Sequence, residues 1–196
     1  MSVVLVDAGG TNIGSVRYAL QRLGVDAALT ADAASIRAAD KVILPGVGAA
    51  GPGMARLREL GLVDSLRSLT QPVLGVCLGM QLLCAHSEEG DTECLGLIPA
   101  PVRRFSGTPG LRVPHMGWNA LVAQHPHPLL VGLGDGEQAY FVHSYAVPMG
   151  EYCLATTDHG GEFSAVIARG NFHGMQFHPE RSAAVGAKLL QNFLEL

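Results

Sequence analysis

Residues 3–6 read VVLV, an apolar run with no polar residue on either parity. A strand with one wet face alternates, so an unbroken run marks a strand buried on both faces, as in a parallel sheet covered by helices. The segments that follow fit that architecture. Ile13, Val16, Leu20 and Leu23 form a helical stripe, residues 25–29 a short strand and residues 33–39 an alanine-rich helix. A third strand over 41–44 is expected to break at Pro45-Gly46. Helices over 54–60 and 62–69, a strand over 73–76 and a helix from Gly79 to about His86 complete the series. This order predicts an α/β fold with a doubly wound, mostly parallel central sheet and flanking helices.

Beyond Gly90 the texture changes to strand-like runs at 102–105, 115–122, 139–147, 153–157, 164–168 and 172–177, closed by a helix over 182–195. The C-terminal half is thus more strand-rich. With no repeat or composition break, residues 1–196 are expected to form one domain, long enough to bury a core. Hydrophobic residues at 48% against 15% charged exclude a disordered chain. A net charge of −4 without a Lys/Arg block argues against nucleic acid as a ligand. No signal peptide and no window approaching the roughly 18 apolar residues of a membrane span is evident, so a cytoplasmic, membrane-free protein is expected. Cys77, Cys84, Cys94 and Cys153 form no CxxC pair and read as free thiols.

Open parallel sheets bind ligands beyond the carboxyl ends of their strands, which directs attention to the segments after Leu44, Val76 and Phe177. Residues 73–81, VLGVCLGMQ, match a G-x-nucleophile-x-G elbow with cysteine as the nucleophile. Gly75 and Gly79 remove Cβ atoms so that strand and helix close around a strained turn that presents the sulfur. The helix N-terminus behind it favours the thiolate. Cys84, Cys94 and Cys153 lack this context and read as buried structural thiols.

A thiol nucleophile needs a base, and the base needs a group that fixes its tautomer. Residues 171–180, NFHGMQFHPE, supply His178 and Glu180 just past an apolar strand, with Pro179 fixing the backbone between them. Of the other histidines, His125 and His127 are expected to be exposed around Pro126. His86, His159 and His173 have no carboxylate at useful spacing, and His143 is the next candidate base. Neither H-x-x-x-H nor CxxC spacing supports a metal site. The loop PGVG at 45–48 follows the third strand, where elbow enzymes place one oxyanion donor; the pair here would be the amides of Val47 and Leu78.

Together VLGVCLGMQ and GMQFHPE resemble the class I (triad) glutamine amidotransferases, over essentially the whole chain. PGVG, FVHSY (141–145) and PHMGWN (114–119) are similar to the glutaminase subunits of imidazole glycerol phosphate synthase within that class. The resemblance implies a flavodoxin-like fold, with Cys77 as nucleophile, His178 as base and Glu180 as orienter. It implies Gln81 and Glu89 holding the α-amino and carboxylate groups of L-glutamine, and backbone at Gly48, Ser144 and Tyr145 lining the same pocket. No cofactor is implied. The partner would be a (β/α)₈ cyclase subunit that receives ammonia in a heterodimer and forms imidazole glycerol phosphate, with Asn12, Trp118 and Arg181 at the contact. Two departures stand out: the family's DYGxGN is DAGGTN at 7–12, with Ala8 for tyrosine, and its HPEKS is HPERS, with Arg181 for lysine.

Three rival functions fit parts of the chain. DAGGT resembles a sugar-kinase phosphate loop, but such kinases need two lobes and the loop leaves the elbow unexplained. A free-standing cysteine hydrolase on the same sheet would use the same elbow and base. A degenerate, non-enzymatic amidotransferase-like subunit would keep the fold alone, and an intact triad argues against it.

Overall fold

The computed structural model describes residues 1–9, 12–106 and 109–196. Gly10 and Thr11 of the DAGGTN stretch lie outside them. Strands β1 (Val3–Val6), β2 (Ala28–Thr30), β3 (Lys41–Gly46) and β4 (Val73–Cys77) alternate with helices α1 (Ile13–Arg22), α2 (Ala33–Ala38), α3 (Ala50–Glu59), α4 (Val63–Arg67) and α5 (Leu78–Leu83). There follow β5 (His86–Ser87), β6 (Thr92–Glu93), β7 (Pro101–Arg104), β8 (His115–Ala120), β9 (Val122–Ala123), β10 (Gln138–His143), β11 (Tyr145–Ala146), β12 (Cys153–Asp158), β13 (Glu162–Arg169) and β14 (Phe172–Met175), then α6 (Ala183–Glu195).

The main sheet has the order β2-β1-β3-β4-β14-β13-β12-β9. β2, β1, β3, β4 and β14 run parallel, while β13, β12 and β9 continue antiparallel. The double winding is visible in the core. Val3 and Leu5 face one side with Val16 and Leu20 of α1 and Leu189, Leu190 and Phe193 of α6. Val4 and Val6 face the other with Ile36, Met54, Leu57 and Leu66 of α2, α3 and α4. The unbroken apolar run of β1 thus feeds two cores.

Several boundaries differ from the sequence reading, each for a local reason. β3 runs through Pro45-Gly46 instead of breaking there. β1 pairs with β3 only as far as Ile43, so Pro45 lies where β3 has a neighbour on one side alone and its missing N–H is no loss. α3 starts at Ala50, ahead of the expected position 54, because Pro52 falls in the first turn, where helical N–H groups have no partner. The helix after the elbow ends at Leu83, and residues 86–87 turn into β5 of a small sheet ordered β11-β7-β5-β6. The run 139–147 divides at Ser144 into β10, which pairs with β8, and β11, which pairs with β7. The run 115–122 divides likewise into β8 and β9, which join different sheets. Periodicity reports which face of a strand is buried and not which neighbour it pairs with, so the change of sheet leaves no mark in the pattern.

Candidate active site

The strand order places the three predicted segments side by side. β4 lies between β3 and β14, with Gly46 opposite Cys77 and Met175 opposite Val76. PGVG therefore emerges on one flank of Cys77 and the segment 176–180 on the other. Cys77 itself has φ 53° and ψ −110°, a left-handed conformation rarely held by a side-chain-bearing residue. The turn is tight: a Cβ on Gly75 would sit 2.6 Å from the backbone of Gly79 and Met80, and one on Gly79 would overlap the Leu44 carbonyl. Only glycine fits these two positions. Cys77 is 8% exposed, a nearly dry sulfur at the base of a cavity.

His178 and Glu180 meet it there. His178 Nδ1 donates to Glu180 Oε1 at 2.9 Å, which leaves Nε2 free on the side of the cavity that His178 and Cys77 both line. Glu180 is held by a second donor that the sequence reading did not assign to this place: Asn12 Nδ2, 2.6 Å from the same Oε1 and 3.3 Å from His178 Nδ1. Asn12, expected at a partner contact, precedes the first turn of α1, and its side chain reaches the Glu180 carboxylate instead of capping the helix. Burial on its own would lower the His178 pKa; the hydrogen bonds and charges of Cys77 and Glu180 outweigh it and push it up to about 10. Burial would raise Glu180, and its bonds to His178 and Asn12 reverse that, holding it below the usual carboxylate range.

The cavity, about 350 Å³, is lined by Val47, Gly48, Cys77, Leu78, Gln81, Glu89, Pro114, Val142, His143, Ser144, Tyr145 and His178. Every predicted oxyanion and substrate-binding position is on its wall. Leu78 is the first residue of α5, where an amide has no helical partner. Gly48, with φ +97°, turns the PGVG loop over the cavity. Glu89 Oε2 accepts from the Ala50 amide at 2.9 Å, and Gln81 donates through Nε2 to the Tyr145 carbonyl at 3.0 Å and to Gln176 Oε1 at 2.9 Å.

Sequence reasoning missed Gln176 and the grouping of the wall histidines. His143 Nδ1 donates to Tyr145 O at 2.7 Å, so its Nε2 accepts from His115 Nδ1 at 3.1 Å, and His115 Nε2 in turn accepts from Asn119 Nδ2 at 3.3 Å. These residues belong to PHMGWN and FVHSY, and the chain has one consistent direction only when both rings are neutral. Burial lowers His143 to about 3 and His115 to about 4, which keeps them so. A base held at 3 is a poor alternative to His178. Two histidine expectations need correction. His86 does have a carboxylate partner, Asp91 at 2.8 Å, in an exposed turn away from Cys77, and His127 is half-buried, its Nδ1 capping a 3₁₀ turn at Pro128–Leu130. Burial raises the thiols of Cys84, Cys94 (to about 11) and Cys153.

With that geometry in place, comparison with known proteins decides the family. The glutamine amidotransferase class-I family model matches residues 4–196. The chain belongs to the class I glutamine amidotransferases. It is 59% identical to the imidazole glycerol phosphate synthase subunit HisH of Xanthomonas axonopodis pv. citri (strain 306) over 194 residues, 99% of this chain and 97% of that one. It is 57% identical over the same span to the HisH subunit of Xylella fastidiosa (strain Temecula1 / ATCC 700964), again covering 99% and 97%. A crystal structure of a glutamine amidotransferase superposes with a TM-score of 0.78 at 22% identity, covering 100% of this chain and 98% of the other, a likeness of fold.

Two features of this amidotransferase concern its outer surface. Trp118 on β8 is 51% exposed, and its ring meets Tyr140, its cross-strand partner on β10, edge to face at 5.8 Å. The Arg181 guanidinium lies 6.0 Å from the face of the same Tyr140 ring. Trp118 and Arg181, distant in sequence, therefore share one patch around the Tyr140 ring. Ala8, in place of the family's tyrosine, packs as a partly buried residue against the core on the α3 side.

Proposed function

We propose that this chain, as one domain over residues 1–196, is the glutaminase subunit of an imidazole glycerol phosphate synthase in histidine biosynthesis. It hydrolyses L-glutamine to glutamate and ammonia and passes the ammonia to a (β/α)₈ cyclase subunit. The observation that carries this reading is the convergence of Cys77, His178 and Glu180 at adjacent strand ends. Its specificity rests on the near full-length likeness to HisH subunits. Four free cysteines suit a cytoplasmic setting, and among the described residues no helix is long and apolar enough to cross a membrane.

In the proposed reaction Glu89 and the Oε1 of Gln81 receive the α-ammonium of glutamine, with backbone at Gly48, Ser144 and Tyr145 holding the remainder. The Cys77 thiolate attacks the side-chain carbonyl, and the oxyanion is met by the amides of Val47 and Leu78. Imidazolium His178 gives its proton to the leaving nitrogen as the C–N bond breaks, releasing ammonia and leaving a γ-glutamyl thioester. Neutral His178 then takes a proton from water. The hydroxide adds to the thioester, the C–S bond breaks with its electron pair returning to sulfur, and glutamate departs. No metal is invoked.

The test is steady-state glutaminase activity with and without a cyclase subunit and its nucleotide ligand. Stimulation of about 5–150-fold or more is expected from coupling between such sites. Full turnover by the lone chain would favour the free-standing cysteine hydrolase, and Cys77→Ser must abolish turnover in either setting.

A further inference from the structure

Two buried side-chain amides stand behind the candidate nucleophile, and their orientation is forced. The Tyr145 carbonyl can only accept, so Gln81 must present its NH₂ to it, and the same Nε2 donates to Gln176. Gln176 must therefore present its oxygen to Gln81, which aims its own Nε2 at the Cys77 sulfur, 3.9 Å away. Gln176 is wholly buried. Its backbone N–H is already bonded to Ala165 O at 2.9 Å, which leaves the side chain as its contribution to the site.

We propose that Gln176 is a catalytic residue of the glutaminase reaction: it is the buried donor that stabilises the Cys77 thiolate, and through Gln81 it ties that donor to the wall receiving the α-ammonium. The proposal rests on the reading of Cys77 as nucleophile. A thiolate in a nearly dry pocket loses its hydration, and each remaining donor counts. His178 approaches the sulfur through its ring, and Gln176 supplies an N–H that never leaves. The sulfur carries negative charge twice per turnover, before it attacks the carboxamide carbon and again when the C–S bond of the thioester breaks and the electron pair returns to it. His178 gives its proton to the departing ammonia and regains one from water between those moments, whereas the Gln176 amide remains a donor throughout. Substrate seated on Gln81 Oε1 would also fix the amide pair, so that the sulfur is best supported when glutamine is present.

The experiment is alkylation of Cys77 by iodoacetamide from pH 5 to 10 in the full chain. Peptide mass spectrometry reads each cysteine separately, and thermal unfolding checks the fold. Gln176→Leu is expected to lower Cys77 alkylation at pH 7 about tenfold, the scale of a lost hydrogen bond to a charged group, and to move the midpoint upward. Gln176→Glu is expected to lower it further, since a carboxylate would face the thiolate. Should the leucine variant fail to fold, Gln176→Met keeps the length without the donor. A midpoint unchanged in folded variants would overturn the proposal, because an amide that merely fills the core would not move it. Glutamine hydrolysis by Cys77→Ser separates the two levels: retained turnover removes Cys77 as nucleophile and Gln176 with it, while an inactive Cys77→Ser with an unmoved midpoint removes Gln176 alone.

Discussion

Asn12 and Glu180, 168 positions apart, are joined by a 2.6 Å hydrogen bond. The bond fastens the N-terminal end of α1 to the carboxylate bonded to His178, so the first βα unit of the sheet takes part in aligning the proposed triad. Glu180 Oε2 is buried without a hydrogen-bond partner among the described residues, which leaves Oε1 to carry both donors. Asn12→Ala is expected to lower kcat roughly 10–100-fold, the scale of a hydrogen bond to a buried charge, with KM for glutamine nearly unchanged, because Asn12 is not on the cavity wall. Asn12→Asp should be worse, placing a second carboxylate against Glu180. A KM effect without a kcat effect would assign Asn12 to binding or to a partner contact instead.

Stability should fall on both sides of neutrality for different reasons. Burial lowers the pKa values of His115 to about 4, His143 to about 3 and His173 to about 4. Between those values and the ordinary 6.5 the unfolded chain holds protons that the folded chain does not. Stability therefore drops as pH falls, by about 1.4 kcal/mol per pH unit for each fully titrating ring. Glu180, lowered when folded, adds to this acid loss once pH falls below its ordinary 4.5. His178, raised to about 10, contributes fully below pH 6.5 and loses that contribution as pH rises through 10. Urea midpoints from pH 4.5 to 9.5 should peak near 6–7. His173→Leu, which removes a buried ring with no partner for Nδ1, should flatten the acid limb by about one proton. An unchanged slope would show that His173 titrates normally.

The elbow glycines give a steric prediction. Gly79→Ala drives a Cβ into the Leu44 carbonyl, and backbone cannot step aside as a flexible side chain could. It should destabilise by about 3 kcal/mol or more and misplace Cys77. Gly14, exposed in the first turn of α1 with nothing within 4 Å of its Cβ position, is the control. Gly14→Ala should be neutral or stabilising by up to about 1 kcal/mol. Differential scanning calorimetry of the two variants decides it; equal effects would deny the close packing.

Much of this was legible in the sequence because each feature has a local cause. The apolar run of β1 and the G-x-C-x-G elbow follow from burial and from Cβ exclusion, both written in consecutive residues. His178 and Glu180 are linked by one proline. The cavity positions Gln81, Glu89, Ser144 and Tyr145 were reached through motif resemblance, and their common lining could not be read from spacing. What escaped was contact between distant segments. Asn12 against Glu180, the alignment of Gln176 with Gln81 and Cys77, and the His115–His143 pair depend on β14 docking beside β4 and β8 beside β10. A glutamine in the apolar run 172–177 was the one available signal for Gln176: a buried amide demands partners, and here one of them is Cys77, the proposed nucleophile.

The outer patch makes the final prediction, which concerns the partner. Trp118 and Arg181 flank the Tyr140 ring, and the Tyr140 carbonyl accepts the His178 backbone N–H at 2.9 Å while its own N–H donates to Ser182 Oγ at 2.9 Å. A protein docked on this patch would thus press on a residue bonded to the main chain of His178, the proposed base. Half-exposed Trp and Arg are favoured interface anchors, and Met116, 59% exposed on the same strand, widens the apolar area. Trp118→Ala should weaken association with a cyclase subunit by at least about tenfold, with little change in the melting temperature of the lone chain, because half of the ring is already in water. Arg181→Ala should weaken association and also reduce the stimulation of glutaminase at saturating partner. Arg181→Lys should restore most of the binding but lose the planar stacking on Tyr140. Titration calorimetry for affinity and coupled glutamate release for stimulation read the two effects separately. Full affinity and full stimulation in both alanine variants would place the partner on another face of the molecule.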